Sequence, residues 1–298
     1  MIAPIALGLL AVALAWPVPL LLARAKWPAR SPAAALVLWQ AIAVAGGLSM
    51  IGALLTFGLA PFGPDLVSAL VSLFVGGVNR IESANAIALC GAVLLTGHLL
   101  LNLLTTVVRA ERQRRRHEQL VSLLSSPFDD TTRLIDSPAP VAYCLPGALS
   151  SVTVVSAGLV ELLDKQEMRA VIEHEKAHVR ERHDVVLILF RAWYASLPWF
   201  PIAFRAQREV GMLIEMLADD RARRVVDDAV LARAIALVGS GQAELTDATA
   251  SPREASARIV RLAAAPLRRG SEAAILAAAV ALLAVPTMLL LAPAVLTL

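Results

Sequence analysis

Four long apolar runs constrain this chain more than anything else in it. Residues 2–23, 33–60, 86–108 and 273–296 are each nearly free of charge. At about 1.5 Å per residue, each is long enough as a helix to cross the roughly 30 Å core of a bilayer. No water is available there to satisfy backbone groups, so runs of this kind must be helical. Composition agrees: 58% of the 298 residues are hydrophobic and 17% charged, which excludes an ordinary soluble domain. Pro17 and Pro19 interrupt the first run. A cleaved signal peptide would need a basic start and a small-residue cleavage site, and neither is present. Pro61-Phe62-Gly63-Pro64 closes the second run, and 61–85, with only Asp65, Arg80 and Glu82 charged, is expected to lie partly in the interface. His98 and Asn102, one turn apart in the third run, suit a hydrogen bond to a neighbouring helix better than a proton relay. Cys90 and Cys144 are too few for a disulfide framework and read as small buried hydrophobes.

Basic residues set an orientation. Arg24, Lys26 and Arg30 follow the first run, and Arg109 to Arg116 is a dense basic cluster directly after the third. Arg253, Arg258, Arg261, Arg268 and Arg269 precede the last run, whereas the loop between the second and third runs is not basic. Cytoplasmic loops carry the excess of Lys and Arg. Both termini are therefore expected outside and residues from Arg109 to the last span in the cytoplasm of a multi-pass cell-membrane protein. The cluster at 109–116 follows a span and lacks interleaved aromatics, so anionic headgroups are its expected partner and no direct nucleic-acid contact is expected.

Chemistry is concentrated in His174-Glu175-Lys176-Ala177-His178. Histidines four apart on a helix lie one turn above each other and can reach one cation; the glutamate beside the first can take a proton from water at that cation. Asp164 followed by Glu167 has capping-box spacing, so a helix is expected through about Arg182. Met168, Val171, Ile172 and Val179 mark its apolar stripe; Glu175 and His178 fall on that stripe and His174 at its edge. The competing interpretation is a chance pair on a solvated helix. Polar groups aimed into a core are costly without partners, and a metal supplies them.

A structural zinc takes four protein ligands, whereas a hydrolase keeps three and an open position. Glu215 is the best-placed third ligand, in a second helical run of roughly 205–228. Asp219, one turn on, can accept the proton on a ligand histidine's other nitrogen. His183, five after His178, is expected to project off the metal face and is left out. Tyr194 and Arg191 are candidate oxyanion donors by position alone.

Residues 185–204 are apolar but contain Arg191, Pro198 and Pro201. A single crossing would put the histidines and Glu215 on opposite faces, and some 20 residues cannot cross twice. A helix and turn dipping into the interface is expected instead. The β-branched stretch Ser150 to Ser156 reads as a strand, equally suited to the core or to an edge that binds an extended substrate. Gly241, Gln242 and Thr246 to Glu254 read as a loop.

These residues resemble the membrane-embedded gluzincin metallopeptidases, most of all the BlaR/MecR-type antirepressor peptidases and next the HtpX-type membrane proteases. The resemblance runs from about Pro140 to Asp228, with the flanking spans. It is carried by Ala157-Gly158-Leu159-Val160, Asp164 to Ala170, His174 to Asp184, and Glu215-Met216-Leu217-Ala218-Asp219. It implies one Zn²⁺ held by His174, His178 and Glu215, with Glu175 as general base and Asp219 behind a ligand. It also implies a protein substrate, a cytoplasmic winged-helix repressor, and permits a homodimer. BlaR and MecR sensors carry a large extracellular β-lactam-binding domain after the last span; with Leu298 directly after such a span, sensing by that domain is not expected here. The expected fold is a mainly α membrane protein: three spans in 1–108, a cytoplasmic α+β gluzincin-like zinc peptidase domain in 109–272, and a fourth span in 273–298. A quality-control protease and a non-catalytic signalling scaffold are the alternatives.

Overall fold

The computed structural model describes residues 2–76, 81–129, 132–145, 152–245, 251–265 and 267–295. In chain order the helices are α1 (Ile2–Ala15), α2 (Pro17–Arg24), α3 (Pro32–Leu59), α4 (Leu66–Gly76), α5 (Ser83–Leu124), α6 (Ala157–Leu162), α7 (Lys165–Arg180), α8 (His183–Ser196), α9 (Pro201–Ala222), α10 (Asp228–Leu245), α11 (Ser251–Leu262) and α12 (Arg269–Val295). The strands are β1 (Ser125–Pro127), β2 (Thr132–Ile135), β3 (Ala142–Leu145) and β4 (Val152–Ser156).

Among the described residues four helical stretches are long and apolar enough to cross a membrane: Ile2–Arg24, Pro32–Leu59, Ser83–Leu124 and Arg269–Leu291. The first is broken at Trp16, where Pro17 starts a new helix because it has no N–H to continue the old one. Helix α3 packs against α1, α5, α9 and α12. Its buried positions include Ala34, Ala35, Ala41, Ala45, Gly47, Ser49 and Gly52, small residues that let neighbouring helices come close. Helix α5 runs without a break from the third apolar run through the basic cluster and 42 residues in all. Cys90, on α5, is exposed rather than buried, and Cys144 is half-buried.

Segment 185–204 does form a helix and turn, but it does not lie along the surface of the bundle. Helix α8 packs against α5, and α9 against α3. A Cβ on Gly47, midway along α3, would meet the Trp193 ring at 3.2 Å. The Ser196 carbonyl, at the end of α8, lies 3.0 Å from His98 Nε2 on α5. The α8–α9 hairpin is therefore wedged among the spans to about half their length. His98 supplies the interhelical hydrogen bond expected of it, and Asn102 bonds back to His98 O at 2.9 Å. The core here joins Leu14, Trp39 and Ile42 of the spans to Phe190, Val210, Leu213 and Ile214 of the hairpin.

Outside the bundle a four-stranded sheet has the order β1-β2-β4-β3, with β2 and β4 parallel and the other pairs antiparallel. Strand β4 is central, so the stretch ending at Ser156 is not an edge; Val154 and Val155 point to opposite faces and both are buried, so both faces of the strand are covered. Ser150 and Ser151 lie outside the described residues. The edge beside α7 is β3 instead. Leu159, Leu163 and Val155 pack with Met168 and Leu237 between the sheet, α7 and α10. A second cluster, Ala170, Ala222, Leu231, Ile235 and Leu262, joins α7, α9, α10 and α11.

The second helical run ends at Ala222 and not at 228, and a turn precedes α10. Gly241 and Gln242 are helical, and Ser251 to Glu254 open α11; residues 246–250 lie outside the described residues. Helix α11 was hidden because its partners are long-range: Leu262 sits in the second cluster, and Arg261 donates to Ala29 O and Met216 O.

Candidate metal centre

Helix α7 begins with the expected reciprocal cap. Asp164 Oδ1 accepts from the backbone N–H groups of Gln166 and Glu167, each at 2.8 Å, and Glu167 Oε2 accepts from Asp164 N at 2.9 Å. The buried face of this helix is Glu167, Ala170, His174 and Ala177. His174 is therefore at the middle of that face, not at its edge, and Val171, Ile172 and Val179 flank it. Alanines set this register because α9 and α10 pack on α7 at close range, a contact that large apolar side chains would hold apart.

Helix α9 crosses α7 so that Glu215 faces both histidines. His174 Nε2 and His178 Nε2 are 3.3 Å apart. Glu215 Oε2 lies 3.3 Å from the first and Oε1 3.6 Å from the second. Donors about 2.0–2.1 Å from a tetrahedral zinc stand about 3.3–3.4 Å from one another, so these atoms have the spacing of three corners of such a site. Among the described residues they form the one group of three or more ligating side chains close enough to hold an ion. Two imidazoles and a carboxylate suit zinc.

Behind the ligands the other nitrogens are also engaged. His174 Nδ1 lies 3.0 Å from Asp219 Oδ1, the contact expected of that carboxylate. Asp219 is fully buried and receives two hydrogen bonds from Arg258 of α11, 2.8 Å from Nε and 2.6 Å from Nη2. Arg258 Nη1 also lies 3.2 Å from Glu215 Oε2. This arginine was counted only as a marker of sidedness. No local pattern could have found its role, since its partners are more than 35 residues away. His183 is also closer than helical geometry implied: its Nδ1 is 3.2 Å from His178 Nδ1. Tyr194 packs on Phe204 in the hairpin, and neither it nor Arg191 lines the cleft.

The cluster's electrostatics follow from burial and pairing. Burial opposes a charge on His174, but hydrogen bonds to Asp219 and Glu215 outweigh it and raise its pKa to about 9. Burial likewise opposes charge on Glu215 and Asp219, yet His174 and Arg258 hold both at about 2. Glu175 has no such direct partner, and burial pushes it up to about 7. His178 is driven down to about 4, first by burial. A carboxyl poised near neutrality beside two imidazoles spaced to hold a metal can accept and return a proton at physiological pH. His174, Glu175, His178, Glu215, Gly211 and Arg258 all line one open cleft of about 550 Å³.

Residues 108–238 match the family model of Peptidase family M48. No curated protein and no solved structure matches the chain. That stretch is similar to the M48 peptidases, which are zinc metalloproteases, and it is flanked by helices long and apolar enough to cross a membrane. The match contains all five residues of the candidate centre and ends before α11. Arg258, which closes the candidate centre from behind, lies outside the matched stretch.

Proposed function

We propose that this chain is an integral-membrane zinc endopeptidase whose cleft opens at the cytoplasmic face of the bilayer. The observation that carries this is the triangle of His174, His178 and Glu215 with Glu175 beside it, in a cleft at the foot of a membrane bundle. His174, His178 and Glu215 would hold the zinc, which when bound would polarise a carbonyl and lower the pKa of water so that, on losing a proton, it becomes a nucleophile. Glu175 takes the proton from the attacking water and delivers it to the leaving amine. Asp219 and Arg258 keep the His174 ring oriented. Among the described residues β3 is an edge strand lying against α7, and that edge offers an extended chain a place to add. The cytoplasmic assignment rests on the basic loops. Arg30 bonds to Ala265 O and Ser31 to Glu272, so the loop after the first span shares a face with the α11–α12 junction.

By its resemblance to BlaR and MecR proteins, the substrate is a cytoplasmic winged-helix repressor, cut in response to a signal. A quality-control role on membrane proteins is the second reading, favoured by the α8–α9 hairpin, which sets the cleft close to where a membrane substrate would emerge. Terminal-peptide profiling of membranes carrying wild type or Glu175→Gln tests both. One new terminus in a DNA-binding protein supports the first; many, in loops of membrane proteins, support the second. Identical profiles with zinc bound to both proteins would overturn the peptidase assignment and favour a non-catalytic scaffold.

A further inference from the structure

The structure assigns His183 a role: it is a positioning residue that fixes which nitrogen of His178 is free to bind the metal. The inference rests on the zinc-site reading above and deepens it. His178 Nε2 points at the corner shared with His174 Nε2 and Glu215. An imidazole that offers the Nε2 lone pair carries its proton on Nδ1. That Nδ1 lies 3.2 Å from Nδ1 of His183. One proton occupies a bond between two imidazole nitrogens; it belongs to His178, so His183 Nδ1 is the acceptor. A neutral His183 then carries its proton on Nε2, which faces Glu181 Oε2 at 3.2 Å and donates to it. The second oxygen of Glu181 accepts from Arg221 Nε.

Every hydrogen bond in this chain points one way, from His178 through His183 to Glu181, with Arg221 holding the carboxylate. The two ligand histidines are therefore supported alike. His174 donates directly to Asp219, which Arg258 holds, whereas His178 reaches its carboxylate and arginine through one interposed imidazole. Local backbone makes this possible. Arg182 adopts φ 52°, the one non-glycine positive φ among the described residues, and ends α7 sharply. The chain folds back, and His183, at the start of α8, packs edge-on against the His178 ring with centroids 4.9 Å apart. On an unbroken helix it would have pointed elsewhere. His183 is only 3% exposed, so no water competes for its Nδ1. Arg221 lies on α9 six residues after Glu215, which ties both halves of the ligand set to one helix.

Zinc affinity of the full-length purified protein, measured by chelator competition, tests the assignment. His183→Phe keeps a ring in the packing and removes the acceptor; affinity should fall about 10–100-fold. His183→Asn places an amide oxygen near the Nδ1 position and should recover most of that loss. Glu181→Gln can donate as well as accept, so it no longer fixes the His183 tautomer. It should weaken zinc binding in wild type and change nothing further in His183→Asn. Wild-type affinity in His183→Phe, or equal losses in the Phe and Asn variants, would overturn the assignment by reducing His183 to packing or to its bulk. His178→Ala is the control for the underlying reading: if it binds zinc as wild type does, the metal site has been misplaced, whatever His183 does.

Discussion

Arg258 is the residue through which the candidate centre is most exposed to a single change. Its guanidinium is the bidentate partner of Asp219, whose side chain is 1% exposed, and its own side chain is 17% exposed. Arg258→Met keeps the apolar stem and removes the charge. Breaking one side of a buried pair typically costs about 3–5 kcal/mol, because the remaining charge is left without compensation. Here His174 Nδ1 stays 3.0 Å from the same carboxylate and offsets part of that, so the lower end, about 3 kcal/mol, is expected. Replacing Asp219 by Asn as well removes the stranded charge, and the double variant should be more stable than the sum of the single losses by about 1–3 kcal/mol. Thermal unfolding of the metal-free protein in detergent, followed by far-UV circular dichroism, reads both quantities. A fall of roughly 6–12 °C is expected for Arg258→Met. If that variant melts with wild type, or the two single losses simply add, Arg258 is not the counter-charge of this site.

His174→Ala and His178→Ala should each lose zinc and turnover together, because two remaining ligands hold the ion weakly; metal analysis of the purified variants checks this. Glu175→Gln should keep near-stoichiometric zinc and lose peptide hydrolysis, since the carboxyl at about pKa 7 is a base and not a ligand. Asp220→Ala should bind zinc as wild type does yet melt earlier. Its carboxylate faces Arg261 at 2.5 Å, away from the ligands, and Glu215→Ala should show the reverse pattern.

Pairings that depend on spacing within one helix were legible in the sequence, although the stripe read on α7 put His174 at its edge and not mid-face. His174 pairs with His178 on α7, and Glu215 with Asp219 on α9, because residues four apart share a helix face, and the Asp164–Glu167 cap has its own local signature. The long apolar runs were legible because hydrocarbon leaves a chain no alternative to helix. What escaped depended on where helices break and what crosses them. His183 was discounted by extending α7 past Arg182, and a positive φ at an arginine carries no sequence signal. Arg258 and Arg261 were read only as markers of sidedness because their acceptors, Asp219 and Asp220, lie on a helix 39 and 41 residues earlier. The small sheet was seen only at β4, since β1 to β3 are three or four residues each and too short for period-two alternation to show.

Helix α9 shows why the centre cannot be separated from the membrane bundle. Ala206, Val210, Leu213 and Ile214 of this helix pack into the core with Trp39, Ile42 and Phe190, and the turns that follow present Glu215 and Asp219. Leu213 and Ile214 are immediately followed by the ligand, so the helix transmits the bundle's position to the metal site with no joint between them. Burying each of these large side chains contributes about 1.5–3 kcal/mol, and an excised fragment 109–272 would forfeit those contacts and present the hairpin's apolar face to water. Such a fragment should aggregate, or stay soluble only in detergent, and bind zinc weakly even there, because Glu215 would no longer be held opposite the two histidines. A soluble, monomeric 109–272 fragment with full-length zinc affinity would show that α9 draws its rigidity from α7, α10 and α11 alone.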